Sequence, residues 1–219
     1  MAGADPVILY TLADMDRLAR VPTGTAARWL NGYARRSGDQ GGRYDPVAGS
    51  PIARGQRGTY LDLIEVVVIG QLKARGFHLP TVRLLVANCR ELLNVERPLV
   101  TLNFKTAGRD VFVQAGAHLV EVGRHRGTQA WNEVLGPFLM DLDYADEMVS
   151  GWWPQGRDGH VQITPSYGFG HPVVEDTGVR TEIIRELFEA GEPLAEIAAD
   201  FELPGEQVEA ALRYELRVA

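Results

Sequence analysis

Hydroxyl and guanidinium groups are concentrated in the first 60 residues of this 219-residue chain. Thr23, Thr25 and Arg28 lie close together, and five more arginines follow before residue 60. Arginine carries a fixed charge and a planar fork of donors that matches phosphate groups and the edges of bases. Threonine adds a neutral donor and acceptor. These residue types favour noncovalent recognition of nucleic acid over covalent catalysis.

A helix-turn-helix pattern must position the first three of these side chains. The capping box Thr11-x-x-Asp14 opens a first amphipathic helix. Pro22 and Gly24 enforce a turn, and a second short helix is predicted over residues 25–31. Two short helices joined by a tight turn are the arrangement that lays a helix in the major groove of DNA.

The second helix is predicted to be the one that reads the groove. At 3.6 residues per turn, Ala26 and Leu30 face inward and Arg28 faces outward. Thr23 and Thr25 stand at the start of this helix, where such proteins place side chains against base edges. We therefore expect Thr23, Thr25 and Arg28 to contact the groove.

The segment from residue 31 to residue 59 is rich in glycine, proline and arginine. Directly after a helix-turn-helix, this composition favours a wing whose arginines reach phosphate groups. The alternative is a mobile surface loop without a partner. The predicted phosphate contacts are Arg35, Arg36, Arg43, Arg54 and Arg57.

A second helix-turn-helix pattern lies near the other end, over residues 193–201 and 205–214. With a preceding helix over residues 181–190 it predicts a trihelical module. The outward charges of its last helix, Glu206 and Arg213 among them, roughly cancel, so it suits a phosphate backbone poorly. We expect this module to contact protein or to dimerise.

Between the two modules the pattern changes. Val100, Leu102 and Phe104 alternate as in a strand, and a hairpin with Val111 and Val113 is predicted. The sequence therefore predicts an α+β fold in three parts. These are an N-terminal winged helix-turn-helix over residues 1–97, a small strand-rich middle region over 98–165, and a C-terminal trihelical, helix-turn-helix-like module over 166–219.

Charge is divided unequally along the chain. Residues 1–97 hold 13 Lys and Arg against 9 Asp and Glu, whereas residues 98–219 hold 9 against 20. The net charges of +4 and −11 suggest different partners for the two parts. A basic part suits phosphate, and an acidic part would complement a cationic protein surface and speed encounter with it. The alternative is that both faces are charged for solubility alone.

Metal sites and catalytic sites are not predicted. The histidines lack metal-ligand spacing, and the single cysteine, Cys89, lies on the apolar stripe of a predicted helix. The acidic residues between 141 and 147 are interpreted as a charged turn, although carboxylates of this kind also suit Mg²⁺. No nucleophile elbow, phosphate-binding loop or dinucleotide fingerprint occurs. We expect no enzymatic activity and no cofactor.

The chain begins without the basic flank and apolar stretch of a signal peptide. Its longest apolar run, at residues 66–70, is far too short to cross a membrane. A lone cysteine cannot form an internal disulfide. These features predict a cytoplasmic protein without a membrane partner.

Two segments resemble known families. Residues 10–30 resemble the winged helix-turn-helix of MerR-type regulators. The C-terminal segment is similar to the trihelical domain of VapB-type antitoxins, and with a middle region carrying Trp152-Trp153-Pro154 the whole resembles a longer actinobacterial class of them. The C-terminal motifs are Gly170-His-Pro-Val-Val-Glu-Asp-Thr-Gly-Val-Arg-Thr181, Ala190-Gly-Glu-Pro-Leu-Ala-Glu-Ile-Ala-Ala-Asp-Phe201 and Val208-Glu-Ala-Ala-Leu-Arg-Tyr-Glu215.

The resemblance implies a type II antitoxin that binds and silences a PIN-like ribonuclease toxin. It also implies that the protein binds its own operator, a double-stranded DNA, as a homodimer and thereby regulates its own transcription. Two other readings stay open. A stand-alone, MerR-like, ligand-responsive regulator would use the middle region as an effector pocket, and a scaffold would merely dimerise. The aromatic residues that could line such a pocket, or instead pack a core, are Trp131, Trp152, Trp153 and Tyr167.

Overall fold

The computed structural model describes residues 10–34, 42–49, 51–74, 76–105 and 135–218. It is a mixed structure of helices and two small antiparallel sheets, which confirms the α+β class. The described residues divide into two compact units, one within residues 10–140 with 144–149 and the other of residues 141–143 and 150–218. The domain boundaries expected after residues 97 and 165 stay predictions.

The first unit contains the N-terminal helix pair and two longer helices. Its described helices are α1 (Leu12–Leu18), α2 (Thr25–Asn31), α3 (Tyr60–Ala74), α4 (Leu79–Leu93) and α5 (Gly136–Met140). Its small sheet pairs β1 (Tyr33–Ala34) with β2 (Arg43–Tyr44). Helix α3 is buried over most of its length and supplies the centre of this unit's core.

Helix α1 begins as the sequence predicts. Thr11 Oγ1 accepts the amide of Asp14 at 3.1 Å, and the Asp14 carboxylate accepts the amide of Thr11 at 2.9 Å. This reciprocal capping box satisfies amides that have no partner inside the helix. Helix α3 opens on the same motif, since Asp62 accepts the amide of Thr59 at 2.7 Å.

The turn between α1 and α2 depends on Asp16, which is 5% exposed. Its two carboxylate oxygens accept the amides of Gly24 at 2.6 Å and Ala26 at 2.7 Å. Gly24 has φ of 82°, a left-handed conformation that glycine adopts without strain. A side chain of α1 therefore caps the start of α2 and fixes the second helix to the first.

A buried ion cluster anchors the segment that follows α4 to α3. Arg97 Nη2 donates to Asp62 Oδ1 at 2.7 Å and to Glu65 Oε2 at 2.5 Å. Glu65 is fully buried, and this burial raises its pKa against the opposing effect of Arg97. Two carboxylates share one guanidinium, so the positive charge of Arg97 offsets part of the free-energy cost of burying them.

The strand predicted at Val100 to Phe104 is wrong. Pro98–Val100 forms a 3₁₀ turn, and residues 102–105 are helical. The Thr101 hydroxyl donates to the carbonyl of Pro98 at 3.0 Å and accepts the amide of Phe104 at 3.3 Å, so it stabilises a turn that alternation cannot reveal. The rest of the predicted hairpin, with Val111 and Val113, lies outside the described residues.

The larger sheet joins four strands in chain order. They are β3 (Leu142–Ala145), β4 (Met148–Trp152), β5 (Val161–Ile163) and β6 (Pro172–Val174). β5 pairs antiparallel with β6, and Val161 lies opposite Val174. Both strands belong to the second unit. Strands β4 and β5 lie within the region over 98–165 that the sequence predicts to be rich in strands.

The predicted trihelical module is also confirmed. It consists of α6 (Thr181–Glu189), α7 (Leu194–Asp200) and α8 (Gly205–Val218) around a core that includes Ile184, Ile197 and Val208. Ile183 of α6 is 39% exposed although it is apolar, and Ala210 of α8 is 2% exposed. Helix α8 packs on β5 and β6 as well as on α6, so more of its surface is covered than a three-helix pattern suggests.

No helix of the described residues is long and apolar enough to span a membrane.

Replacement of Asp16 by alanine tests its role in the turn. The change leaves the amides of Gly24 and Ala26 without their acceptor in a buried place. We expect the free energy of unfolding to fall by about 2–3 kcal/mol in urea titrations. Glu91→Ala, at an exposed position of α4, is the matched control and should change stability by less than about 0.5 kcal/mol. Equal effects of the two changes would contradict the capping role.

Candidate nucleic-acid interface

The predicted reading helix presents the residues that the sequence assigns to it. Thr23 and Arg28 are exposed and Thr25 is partly buried, while Ala26 and Leu30 are fully buried beneath them. The inward and outward faces of α2 are therefore as predicted. Trp29 of the same helix is 6% exposed and belongs to the core.

A two-stranded hairpin follows α2 directly. Tyr33 pairs with Tyr44 and Ala34 pairs with Arg43 in an antiparallel register. Gly32 makes the connection possible, because it has φ of 69° and a Cβ there would lie 2.2 Å from the carbonyl oxygen of Tyr44. The chain thus turns back beside α2 at a point where only glycine fits.

Two arginines and two tyrosines contact one another beside α2, and we call this set the cation–aromatic ladder. The guanidinium of Arg28 lies 4.5 Å from the ring centre of Tyr33, and the rings of Tyr33 and Tyr44 are 4.8 Å apart. Arg83 of α4 lies 5.6 Å from the Tyr44 ring and donates from Nε to the carbonyl of Asp45 at 2.8 Å. The ladder holds the long side chain of Arg28 against the hairpin.

Sequence reasoning missed three of the four ladder residues. Tyr33 and Tyr44 stand on either side of Arg35, Arg36 and Arg43, so a tyrosine at each end of this basic stretch was the available signal. Arg83 gave no local signal, because it reaches Asp45 across 38 positions of sequence.

The predicted phosphate contacts are divided between two loops. Arg43 belongs to β2, is exposed, and donates to the carbonyl of Asn31 at 2.5 Å. Arg54 and Arg57 are exposed on the loop between β2 and α3. Arg35 and Arg36 lie outside the described residues.

The amide of Asn31 fixes that second loop to the end of α2. Its Oδ1 accepts the amide of Ile52 at 2.6 Å and its Nδ2 donates to the carbonyl of Ile52 at 2.9 Å. The amide of Val47 donates to the carbonyl of Trp29 at 2.7 Å. The loop between β2 and α3 is therefore hydrogen-bonded at two points to the helix predicted to read DNA.

Ordinary structural roles account for several other reactive groups. Among the described residues, no cluster of three or more His, Cys, Asp or Glu side chains could hold a metal ion. Cys89 is buried, and burial raises the pKa of its thiol to about 12. The Asp143 carboxylate accepts Trp153 Nε1 at 2.8 Å and Arg157 at 2.7 Å; burial opposes ionisation, but these hydrogen bonds prevail and lower its pKa.

The aromatic residues named for an effector pocket differ in burial. Trp152 and Trp153 are 5% and 6% exposed and belong to the core, whereas Tyr167 is 46% exposed. Trp131 lies outside the described residues.

Comparison with known proteins gives three similarities. Residues 161–214 match the family DUF433, described as a protein of unknown function. The chain is 25% identical over 226 residues to the Mycobacterium tuberculosis protein named "Putative antitoxin VapB45", covering 94% of this chain and 93% of that protein. It is 27% identical over 232 residues to the "Uncharacterized protein Rv2308" of the same organism, covering 94% and 89%.

A solved structure shares the fold. The crystal structure of Rv2018 from Mycobacterium tuberculosis aligns with a TM-score of 0.76 at 22% identity, over 95% of this chain and 98% of that one. The shared fold therefore extends over nearly the whole length of both chains.

A double-mutant cycle tests the ladder. We expect Tyr33→Leu and Arg28→Ala each to destabilise the protein, with a coupling energy of about 0.5–1 kcal/mol because each removes the same contact. Tyr33→Phe keeps the ring and is the control that should retain the coupling. Urea titration of the single and double variants measures it. Additive effects would show that Arg28 and Tyr33 do not interact.

Proposed function

We propose that this protein is an antitoxin that binds a PIN-like ribonuclease toxin and its own operator DNA. The observation that carries the DNA-binding part is the exposed face of α2. It presents Thr23, Thr25 and Arg28 beside a hairpin that carries Arg43. In this proposal α1, α2 and the β1–β2 hairpin form a winged helix-turn-helix.

Docking follows from dimensions and charge. A helix about 10–12 Å across enters a major groove about 12 Å wide. Arg28 suits a guanine edge, where one guanidinium reaches two acceptors, and Thr23 and Thr25 suit neighbouring bases or sugars. The flanking arginines hold the phosphate backbone and set the register; they are Arg35, Arg36, Arg43, Arg54 and Arg57.

A homodimer would read a palindromic operator. Two copies of α2 would then lie about 34–36 Å apart, one turn of DNA, and repress the protein's own gene. The charge of +4 over residues 1–97 supports this assignment of DNA to the N-terminal part.

Toxin binding is supported by the comparisons and by charge. The similarity to a protein named an antitoxin extends over 94% of the chain, which also favours a regulatory rather than an enzymatic role. Residues 166–219 carry 4 arginines against 12 Asp and Glu. This acidic module would repel nucleic acid and attract the cationic surface of an RNA-binding enzyme in the cytoplasm.

Arginine variants separate base reading from phosphate contact. We expect Arg28→Ala to weaken operator binding by about 1–3 kcal/mol and to leave binding to unrelated duplexes nearly unchanged. Arg54→Ala should weaken binding to every duplex alike and reduce the salt slope by about one. Fluorescence anisotropy at several salt concentrations measures both. Unchanged operator affinity of Arg28→Ala would contradict the placement of the reading helix.

Co-expression tests the antitoxin function. The chain is expressed with the neighbouring open reading frame and purified, and RNA cleavage is assayed before and after it is removed. We expect a stable complex whose ribonuclease activity appears only on removal. Absence of both a partner and a masked nuclease, with DNA binding intact, would favour the alternative of a stand-alone, ligand-responsive regulator. A cavity beside α2 is the observation that favours this alternative.

A further inference from the structure

The first unit contains a cavity of about 500 Å³ beside the reading helix. Val21 of the interhelical turn, Trp29 of α2 and Leu79 at the start of α4 supply apolar walls, and Gly70 in the C-terminal half of α3 also lines it. This volume lies in the range of cavities that hold small organic ligands.

Gly70 leaves this space open although the backbone does not require glycine. It lies inside a helix of 15 residues, where glycine is less favourable than every residue but proline. A Cβ at this position would lie 3.4 Å from Val21 Cγ1 and 4.0 Å from the carbonyl oxygen of Ala19, which are ordinary contacts. Alanine would therefore fit, and a longer side chain would occupy the cavity.

The polar part of the lining is cationic. Arg28 and Lys73 both line the cavity, and none of its nine lining residues is acidic. Trp29 adds an aromatic residue to the same lining. Apolar walls with two cations match an organic anion that has an apolar body, and they match a bare phosphate of DNA less well.

We propose that this cavity binds a small aromatic carboxylate and that the bound ligand excludes operator DNA. The exclusion rests on the proposed function, because Arg28 is at once a wall of the cavity and a proposed base contact. A ligand that engages Arg28 from the cavity side removes that arginine from the groove. The affinity of the protein for its operator would then depend on the concentration of this anion.

Two matched probes test the chemistry. Calorimetric titration of the full chain with 2-naphthoate should show one site, and 2-naphthalenemethanol, which has the same rings without the charge, should bind about tenfold more weakly or worse. Lys73→Gln should weaken 2-naphthoate binding by about tenfold and leave the alcohol unchanged. Lys73→Arg is the conservative control and should restore most of the affinity.

Variants of Gly70 test whether the two probes bind in this cavity. Gly70→Leu should place a side chain in the space that the probes occupy and abolish binding of both, whereas Gly70→Ala should raise the Tm and retain binding. If Gly70→Leu does not fold, Lys73→Gln and Lys73→Arg decide the matter alone. No binding of 2-naphthoate, or affinity that is equal in the native chain, Gly70→Leu and Lys73→Gln, would overturn the proposal.

Competition with DNA tests the proposal that the bound ligand excludes the operator. With a duplex taken from upstream of the protein's own gene, saturating 2-naphthoate should lower the affinity of the native chain by tenfold or more. The Gly70→Leu variant should bind the same duplex with or without the probe. Equal duplex affinity of the native chain in both conditions would overturn the exclusion. Failure to bind the duplex without any probe would instead count against the proposed function, and the calorimetric result would stand separately.

Discussion

The candidate interface depends on one buried carboxylate. Asp16 projects from α1 and accepts two backbone amides at the beginning of α2, so the angle between the helices is set by hydrogen bonds and not by apolar packing alone. Apolar contacts are nondirectional and would allow the second helix to roll. Two charge-assisted hydrogen bonds to fixed amides prevent this rotation of the second helix. The outward direction of Arg28 follows from this constraint.

Further contacts attach the hairpin, and the loop that follows it, to α2. Gly32 lets the chain turn back, the cation–aromatic ladder holds Arg28 against Tyr33 and Arg83 near both tyrosine rings, and Asn31 attaches the later loop. Arginine and tyrosine side chains lose little further freedom when they are already stacked, which lowers the entropic cost of binding a partner. The surface is thus ordered before any ligand arrives.

What could be predicted from the sequence is mostly local. Thr11 and Asp14 stand three residues apart, and the apolar positions of α2 and of the trihelical module recur at helical spacing, so the pattern alone indicates these elements. The missed features depend on distant partners or on side chains that replace backbone hydrogen bonds. Arg83 meets Asp45 only in the folded chain, and the Thr101 hydroxyl turns an alternating segment into a 3₁₀ turn.

The cap at α2 also changes what this helix can offer an anion. The free amides and the dipole at the start of a helix ordinarily form a positive site suited to a phosphate. Here the carboxylate of Asp16 already occupies two of the amides and brings a negative charge to that end. Any attraction of α2 for an anion must therefore come from its side chains, such as Arg28, because the amides at its start are already hydrogen-bonded to a carboxylate.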